Sequence, residues 1–269
     1  MKSPHIGVFD SGFGGLTVLS ALLKHIPHAC YTFLGDTARL PYGSKSRRTI
    51  AHYASEAAQY LVKQGAEYLV IACNTASALA LDAIQDAVPV PVLGVVEPGA
   101  IAAHAASKTG DVLVIATAAT VQSHAYASAC HAQGLRALEK ACPLLVPLVE
   151  EGWTDHPVTR QVIDVYLSEL RAEAKAAGLN YDTLVLGCTH YPLIRKLLEQ
   201  AVTPGVRVID SAEATAEAAM KLFGQSDADK SDTAQVRCFA TDSVEKFERL
   251  GSRFLGRPTG KVELVDLGG

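Results

Sequence analysis

Cys73 and Cys188 stand apart from the other four cysteines of this 269-residue chain. Cys73 closes the apolar run in "EYLVIACNTAS" (67–77), and Cys188 closes the one in "DTLVLGCTHYP" (182–192). Hydrogen-bonding side chains follow both. Only the thiolate is a strong base or nucleophile, and at an ordinary pKa of ~8.5 a few per cent of a thiol is ionised at neutral pH. Where a strand ends and a helix begins, the first helical N–H groups favour the charged form. Both positions therefore predict working thiols with a lowered pKa. Cys30, Cys130, Cys142 and Cys238 lack that setting and are expected to be small buried hydrophobes.

Two such thiols suggest a definite reaction. One thiolate removes a proton from carbon, and the opposite thiol delivers a proton to the other face. That inverts a stereocentre with no redox change and no cofactor. A single working cysteine would suggest acyl or phosphoryl transfer instead. The residues disfavour the rivals. A tyrosine-phosphatase loop needs an arginine where Ile194 stands, and Arg195 comes one position late. A papain-like Cys–His pair would use one cysteine and leave the second motif unexplained. Cys188 and His190 alone do not make a zinc ligand set, and no CxxC occurs, so no metal is expected. A two-lobed binding protein with no chemistry stays open at this point. Solvent-proton exchange at the ligand's α-carbon separates it from an enzyme.

Other residues could serve such a site. "DSGFGGLTV" (10–18) begins with the acid Asp10 at the end of an apolar run. It is glycine-rich without being GxGxxG, and its backbone N–H groups with Ser11 are expected to hold a small anionic group at a helix start. "LPYGSKS" (40–46) reads as a Pro- and Gly-marked loop that closes over a ligand. His190, beside a strand-end thiol, is expected to act as acid or base.

These residues need a scaffold, and the runs around them describe one. "HIGVFD", "CYTFLGD", "EYLVIAC", "VPVLGVV", "DVLVIAT", "DTLVLGC" and "GVRVID" read as buried parallel strands, with alanine-rich helices such as 47–64 and 76–87 between them. The pattern predicts an α/β fold with function at the carboxyl ends of the strands. The strand pair ending at Asp10 and Cys73 is echoed by the pair ending at Thr117 and Cys188, in the same order and at similar separations. That predicts two pseudo-symmetric domains, each a mainly parallel sheet flanked by helices, with the active site in the cleft between them. The expected domains are 1–97 with 208–269, completed by the C-terminal segment, and 98–207. "GQSDADKSDT" (224–233) reads as a solvated loop.

Composition narrows the partners. The chain is 49% hydrophobic, ample for a core, and its net charge of −4 offers no field for nucleic acid or an anionic membrane. The N-terminal "MKSPHIGVFDSG" has no apolar leader stretch, because Asp10 interrupts it. The longest uncharged stretch, 112–135, carries too many Thr, Ser, Gln and His residues to span a membrane. Six thinly spread cysteines fit a reduced, cytoplasmic protein.

In order along the chain, "GVFDSGFGGLTVL", "GDTARLPYGSKS", "ACNTASALAL", "VPLVEEG", "GCTHYPLI", "VIDSA" and "VEKFERLGSRFLG" resemble the glutamate racemase family, of the aspartate/glutamate racemase superfamily. The resemblance covers essentially the whole chain. "CTH" at 188–190 separates it from aspartate racemases, which tend to carry an acid where His190 stands. It implies cofactor-independent interconversion of L- and D-glutamate, supplying D-glutamate for peptidoglycan synthesis. Carried over, Cys73 and Cys188 are the acid/base pair, Asp10 assists Cys73, and His190 assists Cys188. Glu150 matches a further acid near His190, with Glu151 adjoining it. Substrate contacts would come from Asp10, Ser11, Tyr42, Gly43, Asn74, Thr75, Thr189 and His190, with Thr117 and Thr120 adding a hydroxyl contact. The resemblance leaves room for a homodimer. Two departures are Ala116, where the family often has Gly, and a segment 151–181 that looks longer than usual. The alanine is expected to be tolerated.

Overall fold

The computed structural model describes residues 3–223 and 234–268, so the loop expected at 224–233 lies outside the described residues. The chain begins with β1 (His5–Asp10), α1 (Leu16–His25), β2 (Cys30–Gly35), α2 (Arg47–Lys63), β3 (Tyr68–Ile71), α3 (Asn74–Ala87) and β4 (Val92–Gly94). It continues through α4 (Val96–Ala106), β5 (Asp111–Ala116), α5 (Ala118–Ser123), α6 (Ala125–Ala132), β6 (Arg136–Ala141), α7 (Leu145–Glu150), α8 (Pro157–Ala176), β7 (Thr183–Gly187), α9 (Arg195–Ala201) and β8 (Arg207–Asp210). It closes with α10 (Ser211–Phe223), β9 (Gln235–Ala240), α11 (Val244–Leu255) and β10 (Val262–Leu264).

Two compact units result: residues 1–95 with 212–269, and residues 96–211. The first holds a six-stranded sheet in the order β10-β9-β2-β1-β3-β4, and the second a four-stranded sheet in the order β6-β5-β7-β8. Among the described residues every strand pairing is parallel. The expected boundary between 207 and 208 falls inside β8. That strand stays whole because it pairs with β7 from Thr183↔Arg207 to Leu186↔Asp210. Ser211 then donates its hydroxyl to the Leu186 carbonyl at 2.9 Å.

The apolar runs form strands because helices cover both faces of the sheets, so unbroken Val, Ile, Leu and Phe lose their contact with water. In the first unit, Phe9, Leu34, Leu61, Leu69 and Ile71 form one layer of core under α2 and α3. On the other face Phe13 meets Phe254 at 5.4 Å and Phe247 at 6.4 Å, and Phe33 meets Phe247 at 5.8 Å. This cluster seats the buried stripe of α11, Phe247, Leu250, Phe254 and Leu255. The C-terminal segment returns through β9, which pairs with β2 over six positions from Cys30↔Gln235 to Gly35↔Ala240.

The two sheets repeat one plan. β1 lies between β2 and β3, with β4 beyond β3, and β5 lies between β6 and β7, with β8 beyond β7. The chain reverses direction across the sheet at β1 and at β5, which are the switch points where parallel sheets open a crevice at the carboxyl ends of their strands. Asp10 and Thr117 end or follow those central strands, and Cys73 and Cys188 follow their neighbours β3 and β7.

Candidate active site

In the first unit the chemistry gathers where β1, β2 and β3 end. Asp10 is the last residue of β1 and is 2% exposed. Its carbonyl accepts the Asp36 N–H at 3.0 Å, and its Oδ2 accepts the Gly12 N–H at 2.9 Å. The Ala72 N–H donates to the Phe9 carbonyl at 2.8 Å, so β1 still holds the neighbouring segment just before Cys73. Cys73 then caps α3: the Ala76 N–H donates to Sγ at 3.4 Å, and the thiol reaches Ser11 Oγ at 3.3 Å. The Ser11 N–H also addresses the sulfur.

Those donors favour a thiolate, as the helix start leads one to expect. They are outweighed. Burial, and then the adjacent Asp10 carboxylate, push the Cys73 thiol up to about 12. The lowered pKa expected here is therefore corrected: the side chain is only 5% exposed, and the water it has lost stabilised the anion more than the N–H groups do.

In "DSGFGG" the glycines make room for close packing. A Cβ on Gly15 would stand 2.6 Å from the Asp10 Cβ and 2.8 Å from the Ala72 Cβ. The Gly12 N–H is spent on Asp10, and the Leu16 and Thr17 N–H groups are spent on the Phe13 and Gly14 carbonyls. Tyr42 and Gly43 lie in a 3-10 turn, Tyr42–Ser44, between β2 and α2. Tyr42 is buried and donates its hydroxyl to Asp36 Oδ2 at 2.6 Å. Burial, and then the Asp36 charge, push its phenol well above the ordinary range. Asn74 and Thr75 are buried in the first turn of α3.

In the second unit Cys188 follows β7 directly, but no α-helix begins there. A 3-10 turn, Tyr191–Ile194, follows instead, and α9 starts at Arg195. The helix-start setting expected of both thiols is thus found at Cys73 and not at Cys188, because the turn closes on itself with the Tyr191 N–H on the Cys188 carbonyl at 3.2 Å. Cys188 has an imidazole instead. His190 Nδ1 lies 3.9 Å from Sγ and 3.3 Å from Thr189 Oγ1, and its Nε2 lies 3.3 Å from Glu150 Oε1. Glu150, at the end of α7, faces His190, while Glu151 is exposed. Burial by itself would push the imidazole down. Hydrogen bonds with Cys188 and Glu150, and their charges, outweigh it and raise His190 from 6.5 to about 10.

Thr117 caps α5, accepting the Thr120 N–H at 3.4 Å, and the two hydroxyls lie 2.9 Å apart. Ala116 is fully buried and pairs with Gly187, where a Cβ would come within 3.1 Å of the alanine methyl. The glycine across the ladder makes room for the alanine. The long segment 151–181 is mostly α8, a 20-residue helix with Pro157 at its first turn.

The motifs did not single out Asp36, a fully buried acid at the end of β2 whose Oδ1 accepts the Thr241 hydroxyl at 2.9 Å. Its signal was legible: "CYTFLGD" ends in an acid just as "HIGVFD" does. Among the described residues, no cluster of three or more His, Cys, Asp or Glu side chains is placed to hold a metal, and no helix is long and apolar enough to cross a membrane.

A pair of α/β units, each with a thiol and its acid/base companions at the switch of a parallel sheet, defines a class. The chain belongs to the Asp/Glu/Hydantoin racemase family, whose model matches residues 17–219. Glutamate racemases match it over its full length or nearly so. It is 54% identical to the glutamate racemase of Koribacter versatilis, over 100% of this chain and 99% of that one. Among solved structures, the glutamate racemase isoform RacE1 of Bacillus anthracis superposes with a TM-score of 0.90 at 37% identity, over 99% of both chains. The glutamate racemase of Francisella tularensis, solved in complex with D-glutamate, does so with 0.88 at 34% identity, also over 99% of both.

Proposed function

We propose that this racemase interconverts L- and D-glutamate by passing the α-proton between two thiols, with neither cofactor nor metal. The observation that carries this reading is the repeated plan of the two sheets, which sets one buried thiol after β3 and another after β7 beside different proton-handling groups. A single-cysteine reaction gives no reason for the second.

With L-glutamate, the Cys188 thiolate takes the α-proton, and Cys73 gives its own proton to the opposite face of the same carbon. Cys188 ends as a thiol, Cys73 as a thiolate, and the product is D-glutamate. Solvent exchange returns the pair to its starting state, and the D-to-L direction runs the same steps backwards. Cys73 is held protonated in the free protein, as the acid of the L-to-D direction must be. His190, 3.9 Å from Cys188 Sγ, takes and returns that thiol's proton, and Glu150 orients the ring. Asp10 assists Cys73.

An α-proton is very weakly acidic, so the substrate's charges must be met by fixed donors out of water. Ser11, Asn74, Thr75, Tyr42 and Gly43 supply contacts from the first unit, and Thr189, His190, Thr117 and Thr120 from the second. The product's role is to supply peptidoglycan synthesis in the cytoplasm, where six free thiols persist, and the working form is a homodimer.

The test is exchange in D₂O. Cys73→Ser and Cys188→Ser should each cut racemisation in both directions by orders of magnitude while leaving the fold intact, since each direction uses both groups. The half-reactions should divide: Cys73→Ser should exchange the α-proton of L-glutamate in preference to D-glutamate, and Cys188→Ser the reverse. A single variant that keeps near-parental racemisation, or parental activity that needs pyridoxal phosphate or vanishes with EDTA, would overturn the proposal. A protein that merely bound glutamate would exchange no α-proton.

A further inference from the structure

Asp36 takes no part in the reaction just described, yet it is a fully buried carboxylate at the carboxyl end of the strand beside β1. We propose that Asp36 is a positioning residue of the Cys73 site. It fixes the Tyr42 hydroxyl, and with it the Tyr42–Ser44 turn, using Thr241 of the returning C-terminal segment as a second anchor. The activity readout rests on the two-thiol reading, and the structural readout does not.

The geometry is specific. Asp36 Oδ2 accepts from Tyr42 at 2.6 Å, Oδ1 accepts from Thr241 at 2.9 Å, and Arg39 Nη1 lies 3.8 Å from Oδ2. Burying a carboxylate is unfavourable unless its partners satisfy it, so removing the acid would strand the buried Tyr42 hydroxyl and take the acceptor from the half-buried Thr241 hydroxyl. Tyr42 is 1% exposed and shares one buried cluster with Cys73, Phe9 and Ile71. A phenylalanine would fill the same space. The hydroxyl therefore serves to hold the ring, and with it one wall around the thiol, in a single place.

The far side of the anchor is also tied down. Thr37 Oγ1 donates to the Asp242 carbonyl at 2.5 Å and accepts the Asp242 N–H at 2.9 Å, while the Ala38 N–H donates to Thr241 Oγ1 at 2.9 Å. Arg39 donates to Glu56 at 2.8 Å, covers the Tyr53 ring at 4.3 Å and donates to the Gly268 carbonyl. The segment after β9 brings no thiol to the site. It brings the fastening for the loop that carries Tyr42.

Alkylation of Cys73 by iodoacetamide at pH 8, followed by peptide mass spectrometry, tests the role without turnover, and Cys188 in the other unit serves as the internal reference. Asp36→Ala and Tyr42→Phe should each raise the Cys73 rate relative to Cys188 on the order of tenfold, by loosening the wall. Each should lower kcat/KM for glutamate on the order of tenfold, and the double variant should lose no more than either single one, as expected of groups acting as a unit. Asp36→Asn keeps one acceptor and should fall between. It carries the test if Asp36→Ala does not fold. Unchanged Cys73 labelling in Asp36→Ala and Asp36→Asn, additive losses in the double variant, or Cys73 and Cys188 rising together would each overturn the proposal. If the parent protein failed to racemise glutamate, the two-thiol reading would fall while the labelling ratio still decided the role of Asp36.

Discussion

Replacing Asp10 by Asn should make Cys73 more reactive and the enzyme slower. Cys73 is held at about 12 against 9.0 for the free thiol, first by burial and second by the Asp10 carboxylate. At pH 8 a pKa near 12 leaves about one sulfur in 10⁴ ionised, against about one in ten at 9.0. That thousandfold ratio is the ceiling on what removing both causes could do. Asp10 is the smaller of the two, so losing its charge should raise the thiolate population on the order of tenfold. Asn keeps an oxygen to accept the Gly12 N–H now bonded at 2.9 Å, so the loop should stay in place.

The assay follows the rate of Cys73 alkylation against pH in the parent and in Asp10→Asn. The ratio of the two rates cancels the poor access of a side chain that is 5% exposed. Both profiles should climb tenfold per pH unit, with the variant displaced to lower pH by about one unit. Racemisation should fall by about 100-fold or more, because a positioned acid/base group contributes roughly that much. Labelling that stays the same or slows at pH 8, in a protein with an unchanged unfolding transition, would refute the reasoning. Burial alone would then hold the proton on Cys73.

Two further outcomes follow from the same geometry. His190 is raised from 6.5 to about 10, so its contribution to stability is fully present below about 6.5 and is lost as pH rises through about 10; Glu150→Gln should lower that pKa, so that urea unfolding shows its full deficit near pH 5–7 and a deficit that shrinks as pH rises toward 10, and a deficit at pH 9 as large as the one at pH 6 would count against it. Gly35→Ala should unfold at lower temperature by several degrees, because its Cβ would stand 2.2 Å from the Gly12 carbonyl oxygen and overpacking of that kind costs about 1–3 kcal/mol; a thermal midpoint matching the parent's would show that the Gly12 loop yields freely.

Much of the scaffold was legible because a strand covered on both faces must be apolar throughout. The runs ending at Asp10, Cys73, Thr117 and Cys188 read plainly for that reason. β6 did not, since "RALEKA" lies at a sheet edge and keeps charged residues along its length. β9 and β10 also escaped notice: β9 starts on polar residues and gains its meaning from pairing with β2, about two hundred residues earlier, while β10 is three residues long and pairs with β9. The site divides in the same way. Cys73 with Asn74 and Cys188 with His190 are neighbours in sequence, so their chemistry showed locally. Asp36 and Thr241 are separated by 205 positions, and no local pattern joins them. The Cys73 pKa was misjudged for a related reason. The helix start is a local feature, whereas the burial that overrides it is a property of the whole unit.

The repeated plan also makes the difference between the two thiols informative. Topology puts both in equivalent places, after the strand on the same side of the switch. What surrounds them is not equivalent. Cys73 meets backbone and side-chain donors and a carboxylate, at the start of a 14-residue helix. Cys188 meets an imidazole braced by a second acid, before a short 3-10 turn. A carboxylate holds a proton on a nearby thiol, while an imidazole can accept the thiol's proton and give it back. In the two-thiol mechanism proposed above, racemisation in one direction needs one group ready to give a proton and one ready to take it, and two identical surroundings would prepare both for the same task. Unequal companions on an equal scaffold let the free protein hold one thiol charged with its proton and the other beside a group that can carry the proton away.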